Sequence, residues 1–167
     1  MTSQTSRRAF LRGAFMDRGA LRPFGAVADS LFADACTKCG DCASACPEAI
    51  IVMDKDGYPV IDPKVGACTQ CGVCVDVCDT GALDSGQPWL WKASANSSCL
   101  SRNGVHCRTC QDFCDAGAIR FQLQTGGRSE LRIDLDQCVG CGGCVSSCPI
   151  NAVELVKMKP QMEAQTC

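Results

Sequence analysis

Apolar and polar positions alternate in short stretches along this chain, and the stretches recur. Ile51 to Met53 and Tyr58 to Ile61 flank Asp56-Gly57, which predicts a tight hairpin. Ile119, Phe121 and Leu123 alternate with polar residues, and after Thr125-Gly126-Gly127 the pattern resumes at Leu131, Ile133 and Leu135, which predicts a second hairpin. Four further stretches resemble one another: Pro47-Glu48-Ala49-Ile50, Thr80-Gly81-Ala82-Leu83, Ala116-Gly117-Ala118-Ile119 and Ile150-Asn151-Ala152-Val153. Each follows a cysteine closely and reads as a short helix that hands over to a strand. Both halves therefore have the order loop, helix, hairpin, loop, helix, strand. The pattern predicts an α+β chain with a repeat at 31–84 and a second at 99–158. Gly86, Pro88 and several serines mark 85–98 as a linker, with a basic extension at 1–30 and a flexible tail at 159–167.

Composition changes the picture. Seventeen of the 167 residues are cysteine, only nine are aromatic and sixteen are glycine. Such a cysteine fraction lies outside the ordinary globular range. Each half is about 55–60 residues long, below the size at which a single apolar core usually suffices. The fold is therefore expected to depend on whatever the cysteines hold, and metal-free protein is expected to be largely unfolded.

Sixteen cysteines fall into four groups of four: Cys36, Cys39, Cys42, Cys46; Cys68, Cys71, Cys74, Cys78; Cys99, Cys107, Cys110, Cys114; and Cys138, Cys141, Cys144, Cys148. Three groups read C-x2-C-x2-C-x3-C, and the third opens its first gap to seven residues. Disulfides fit poorly, because cysteines three apart are bad mutual partners. Structural zinc generally uses two CxxC pairs across a longer loop. A [4Fe–4S] cubane needs one thiolate per iron corner, and this run is the bacterial ferredoxin pattern. The reading is therefore four [4Fe–4S] clusters in two tandem two-cluster ferredoxin-like domains.

In two-cluster ferredoxins the fourth cysteine ligates the other cluster, so the expected pairing is crossed. Cluster one takes Cys36, Cys39, Cys42 and Cys78; cluster two takes Cys68, Cys71, Cys74 and Cys46. Cluster three takes Cys99, Cys107, Cys110 and Cys148; cluster four takes Cys138, Cys141, Cys144 and Cys114. Pro47 and Pro149 follow the fourth cysteine of their runs, whereas Asp79 and Asp115 stand there in the other two. Trp89 and Trp91 are expected to plug the seam between the halves, His106 to be a polar loop residue, and Cys167 to be a free terminal thiol.

Charge excludes other classes. Sixteen basic and eighteen acidic residues give −2, which is no footprint for nucleic acid. No stretch approaches the length of an apolar membrane span. Residues 1–30 are nevertheless basic, with five arginines against two aspartates. Ser6-Arg7-Arg8-Ala9-Phe10-Leu11-Arg12 looks like a twin-arginine export motif. A signal would continue into an apolar stretch, but Asp17, Arg18, Arg22 and Pro23 interrupt it, which favours retention in the cytoplasm. Ala26-Val27-Ala28 offers a cleavage site and keeps the periplasmic alternative open. Otherwise the segment reads as a basic amphipathic tail or as a docking arm through Arg7, Arg8, Phe10 and Leu11.

No substrate pocket, nucleophile–base pair or nucleotide loop is legible, so an enzyme is not expected. The arginine motif, the four runs and the stretched third run together resemble the NapF family of ferredoxin-type proteins from periplasmic nitrate reductase systems, a resemblance that spans nearly the whole chain. It implies a cytoplasmic four-cluster protein that acts on the precursor of the nitrate reductase catalytic subunit, loading or reducing that subunit's own cluster before export. A general one-electron carrier between a donor and a reductase is the alternative.

Overall fold

The computed structural model describes residues 19–125 and 129–158. Arg7, Arg8, Phe10, Leu11 and Cys167 lie outside the described residues. The chain runs α1 (Asp29–Ala35), α2 (Asp41–Ser44), β1 (Ile51–Met53), β2 (Pro59–Ile61), α3 (Val73–Asp76), β3 (Trp91–Ala95), α4 (Thr109–Asp112), β4 (Ile119–Leu123), β5 (Ser129–Ile133), α5 (Gly143–Ser146) and β6 (Val153–Lys157). Three two-stranded antiparallel sheets result: β1 with β2, β4 with β5, and β3 with β6. Both hairpins stand where the alternation puts them, with Ile51 opposite Ile61 and Phe121 opposite Leu131. Among the described residues no helix is long and apolar enough to cross a membrane.

Two cores form, one per half. The first gathers Phe32, Ile50, Ile51, Ile61, Ala82 and Leu83 around Cys42 and Cys74. The second gathers Ala93, Ala118, Ile119, Leu131, Val145, Ala152 and Val153 around Cys99, Cys110, Cys138 and Cys144. Cysteine sulfur thus does part of the filling that aromatics do elsewhere. Phe32, carried by α1, is 1% exposed, and burying such a ring contributes about 1.5–3 kcal/mol.

Two boundaries differ from the expected ones. Residues 21–30 belong to the first half: Leu21, Phe24, Ala26 and Val27 pack on its core, Ala26 bridges Leu83, and the Ile61 N–H donates to the Leu21 carbonyl at 2.6 Å. Their apolar side chains cover a core that would otherwise face water. The 85–98 segment is no simple linker, because β3 lies within it and pairs along its length with β6, Trp91 opposite Lys157 through Ala95 opposite Val153. The short Ala26–Leu83 bridge closes the first half where β3–β6 closes the second.

The helices also differ from expectation. Each one-turn helix precedes the fourth cysteine instead of starting near it. Three residues after that cysteine the chain is left-handed in all four runs, at Ala49 (φ 51°), Gly81 (72°), Gly117 (62°) and Asn151 (53°). A helix cannot propagate through such a residue, so each stretch becomes a turn into its strand.

Trp89 does sit at the seam. Its ring packs 5.8 Å from that of Phe24, while its Nε1 donates to the Gly140 carbonyl at 3.2 Å. Lys157 meets Asp29 at 2.6 Å across the same seam. Trp91 is buried within β3.

Asp54 pins the β1–β2 turn to the N-terminal segment. Its carboxylate accepts from the N–H groups of Tyr58 and Asp56, each at 2.9 Å, and from Arg22 Nη1 at 3.2 Å. Arg22 in turn lies 5.0 Å from the Phe32 ring centre and 5.2 Å from that of Tyr58. The Tyr58 N–H above all, then Asp56 and Arg22, hold this carboxyl below its ordinary value against a smaller opposing effect of burial. A depressed folded pKa stabilises the fold above the unfolded value and loses that contribution as pH falls through the folded one. Asp54→Asn is therefore expected to lower the melting temperature by a constant amount from neutrality down to about pH 5, with the gap closing only in stronger acid. Melts across a pH series check this; a gap that closes already between pH 7 and about pH 5 contradicts the assignment.

Candidate iron–sulfur centres

Three of the four cysteine runs fold alike because the same backbone turns recur. Lys38, Gln70 and Gly140 close the first two-residue gap in the left-handed region, at φ 61°, 54° and 69°. Gly40, Gly72 and Gly142 follow the second cysteine at φ 86°, 84° and 89° and cap α2, α3 and α5. Successive turns of this kind aim backbone N–H groups into a common concavity. The helical turn then carries the third cysteine inward: Cys42, Cys74, Cys110 and Cys144 are all buried.

The third run lacks both left-handed residues at these places, and Arg108 enters α4 at φ −133°. Its longer gap is an ordered loop instead. Ser101, 2% exposed, donates to the Ser129 carbonyl at 2.6 Å. Arg102 bonds the Ala95 carbonyl at 2.7 Å, and Asn103 Nδ2 the Cys99 carbonyl at 2.9 Å. The loop is thereby tied to β5 and to the end of β3.

Three quartets line one cavity each. Cys36, Cys39, Cys42 and Cys78 surround an open hollow with Phe32 and Leu83. Cys46, Cys68, Cys71 and Cys74 surround another with Phe24, Ile50 and Ile61. Cys114, Cys138, Cys141 and Cys144 line a third with Phe113, Val139 and Leu155. Of the remaining four, Cys99 and Cys110 are buried in the second core and Cys148 packs against it. The turns after α2, α3 and α4 bring Cys46, Cys78 and Cys114 beside the triplet of the other run in their half.

These sets suit a cluster better than a single ion. Among the described residues no three His, Cys, Asp or Glu side chains converge tightly enough to hold one metal ion. The quartets are spaced around an apolar hollow, where a cubane presents one iron to each thiolate. Burial first, with neighbouring cysteines second, pushes Cys74 and Cys110 up to about 11 and Cys144 up to about 12. Burial likewise raises Cys42 and Cys68. A thiol must give up its proton to bind iron, so loading a site releases protons.

Several donors aim at ligand sulfurs. The Ala93 N–H reaches Cys138 Sγ at 3.4 Å, and the Ala152 N–H reaches Cys148 Sγ at 3.2 Å. Thr80 Oγ1 lies 3.5 Å from Cys78 Sγ, and Thr109 Oγ1 lies 3.7 Å from Cys107 Sγ. For Cys78, burial alone would raise the thiol, yet Thr80 and the N–H groups of Leu83, Thr80 and Ala82 outweigh it and leave it lowered. Neither threonine is marked in the sequence by more than its place two residues after a cysteine. A donor to a ligand sulfur favours the reduced, more negative centre. Thr80→Val is thus expected to lower the potential of the site that Cys78 serves; loss of one hydrogen bond, about 1 kcal/mol, corresponds to roughly 40 mV. A potentiometric titration that finds an unchanged or higher value refutes it. Asp79, Asp115 and His106 are solvent-exposed.

Comparison with known proteins bears directly on this architecture. Family models described as 4Fe-4S dicluster domains match residues 35–83 and 105–152, so two dicluster domains provide for four [4Fe–4S] clusters. The ferredoxin-type protein NapF of Haemophilus influenzae is 41% identical, over 92% of this chain and 94% of its own length. NapF of Escherichia coli K12 is 31% identical, over 92% of this chain and 95% of its own length. The methylamine utilization ferredoxin-type protein MauM of Methylorubrum extorquens is 36% identical, over 77% of this chain and 68% of its own length. Sulfur-lined hollows in two like halves, and NapF relatives that align over 92% of the chain, lead to one assignment: the chain is a ferredoxin-type iron–sulfur protein and belongs to the NapF family.

Proposed function

We propose that this protein is a cytoplasmic accessory factor for the catalytic subunit of periplasmic nitrate reductase. It engages the unexported precursor and supports the loading or reduction of that subunit's iron–sulfur cluster. The observation that carries this reading is similarity to NapF at 41% identity over 92% of the chain, joined to an arginine motif with no apolar continuation. Retention in the cytoplasm has a further support. The Ala26–Ala28 segment, which a signal peptidase would need to reach, is held in the first half by the Ala26–Leu83 bridge and by the Val27 N–H to the Ala82 carbonyl at 3.1 Å.

The proposed ligand sets are the crossed ones. Cys36, Cys39, Cys42 and Cys78 hold the first cluster, and Cys68, Cys71, Cys74 and Cys46 the second. Cys99, Cys107, Cys110 and Cys148 hold the third, and Cys138, Cys141, Cys144 and Cys114 the fourth. Bound clusters supply one-electron chemistry. The chain's own part is to keep their surroundings apolar, to direct N–H and hydroxyl donors at the sulfurs, and to present Arg7, Arg8, Phe10 and Leu11 as a docking arm.

An anaerobic pull-down with tagged protein tests the reading, comparing the wild type with an Arg7→Lys/Arg8→Lys variant. Recovery of the catalytic-subunit precursor by the wild type, lost in the variant, is the expected result. Iron-loaded protein that captures no precursor overturns it and leaves a one-electron carrier.

A further inference from the structure

The ligand loops of the two halves touch across the seam. The Cys68 N–H donates to the Cys141 carbonyl at 2.7 Å. Gln70 Nε2 donates to the Val139 carbonyl at 2.8 Å, from 69 residues away in sequence. The surrounding packing is equally close: a methyl group added at Gly142 would lie 3.1 Å from Pro63 Cβ, and one at Gly143 would lie 3.6 Å from Ala67 Cβ. The first bond joins two residues that are themselves ligands, Cys68 of the second site and Cys141 of the fourth. From one sulfur to the other the route consists of covalent bonds and a single hydrogen bond.

Within each half the helical turns that carry the buried third cysteines pack against each other, α2 with Cys42 on α3 with Cys74, and α4 with Cys110 on α5 with Cys144. Cys36 and Cys39 stand in the 36–42 loop, and Cys99 and Cys107 in the 99–107 loop, neither of which takes part in the bonds that join the two halves' ligand loops.

We infer that the Cys68–Cys141 and Gln70–Val139 bonds form the junction by which single electrons cross between the halves, so that the sites conduct in the order one, two, four, three. Gln70 is a positioning residue here: its side chain clamps the fourth site's loop and fixes the separation of the central pair. Cys46, Cys68, Cys71 and Cys74 would hold the donating cluster, and Cys114, Cys138, Cys141 and Cys144 the accepting one. Once loaded, the pair would exchange a single electron, supplied by an external one-electron reductant, with one cluster oxidised as the other is reduced and no bond broken. The inference rests on the crossed ligand sets and is independent of the nitrate reductase reading.

Electron paramagnetic resonance of the anaerobic holoprotein, reduced stepwise with dithionite, tests it. In a Cys39→Ala/Cys107→Ala variant, which dismantles the two outer sites, the remaining reduced centres are expected to split each other's signals, and added Gln70→Ala is expected to diminish the splitting. Two independent, unsplit signals overturn the inference. If that variant loses its fold, power saturation of Gln70→Ala in the otherwise intact protein decides. Slower relaxation of the reduced centres at unchanged iron content supports the junction, and wild-type relaxation overturns it. A merely structural role for Gln70 would shift the melting temperature and leave relaxation as it was.

Discussion

Gly140→Ala is expected to dismantle the fourth site and unfasten the seam between the halves, lowering stability by about 2–5 kcal/mol. Two independent penalties add at this position. Gly140 has φ +69°, and an alanine held in the left-handed region costs about 1–2 kcal/mol. An added methyl would also overlap the Trp91 carbonyl oxygen and lie 2.7 Å from Trp89 Nε1. The carbonyl belongs to β3, paired along its length with β6, so it cannot turn away as a flexible side chain would. Overpacking of this kind adds about 1–3 kcal/mol. The disturbed backbone lies between Cys138 and Cys141, and the Trp89 bond to the Gly140 carbonyl spans the seam. Gly117→Ala provides the comparison, because Gly117 is also left-handed at φ +62° but has open space around it. It should cost only the conformational penalty and keep its iron. Melting temperature, iron content and tryptophan fluorescence of the two variants decide; equal losses would remove close approach as the reason for glycine at 140.

Much of this architecture was legible because cysteine spacing and strand alternation are local signals. The hairpins at Ile51–Ile61 and Ile119–Ile133 needed only the order of apolar residues around a turn. The missed strand β3 has the same alternation, but Trp91, Ala93 and Ala95 are mixed with small and polar neighbours, and their composition read as a linker. Its partner β6 is about 60 residues away, and nothing local announces such a pairing. The displaced helices have a different cause. Gly81 and Gly117 signal left-handed backbone, and Asn151 tolerates it, but Ala49 gives no warning. It adopts that conformation because the equivalent turn in each run brings the fourth cysteine across to the neighbouring triplet. The Gln70–Val139 clamp joins the two halves and was beyond any local reading.

Cys78→Ser is expected to cost the first site its cluster and spare the second, although Cys78 lies in the second run. The cavity that contains Cys78 is lined by Cys36, Cys39 and Cys42, whereas the one lined by Cys68, Cys71 and Cys74 is completed by Cys46. Serine keeps the shape and supplies a poorer, harder ligand, so the weakened cluster is lost first. About a quarter of the iron should leave with it. Anaerobic alkylation followed by peptide mass analysis identifies which thiols have been released. For Cys78→Ser, Cys36, Cys39 and Cys42 should label rapidly, while Cys68, Cys71 and Cys74 stay protected. Cys46→Ser should give the reverse. The effect on stability should be large as well, because a structural metal in so small a unit supplies free energy on the order of 10 kcal/mol, comparable to the whole stability of a domain. Full chelation should accordingly unfold both halves, and the single-site variants should lower the melting temperature of the first half far more than that of the second. Labelling of Cys68, Cys71 and Cys74 in Cys78→Ser would mean that each run keeps its own fourth ligand, which would overturn the crossed sets and, with them, the site order that passes through Cys68 and Cys141.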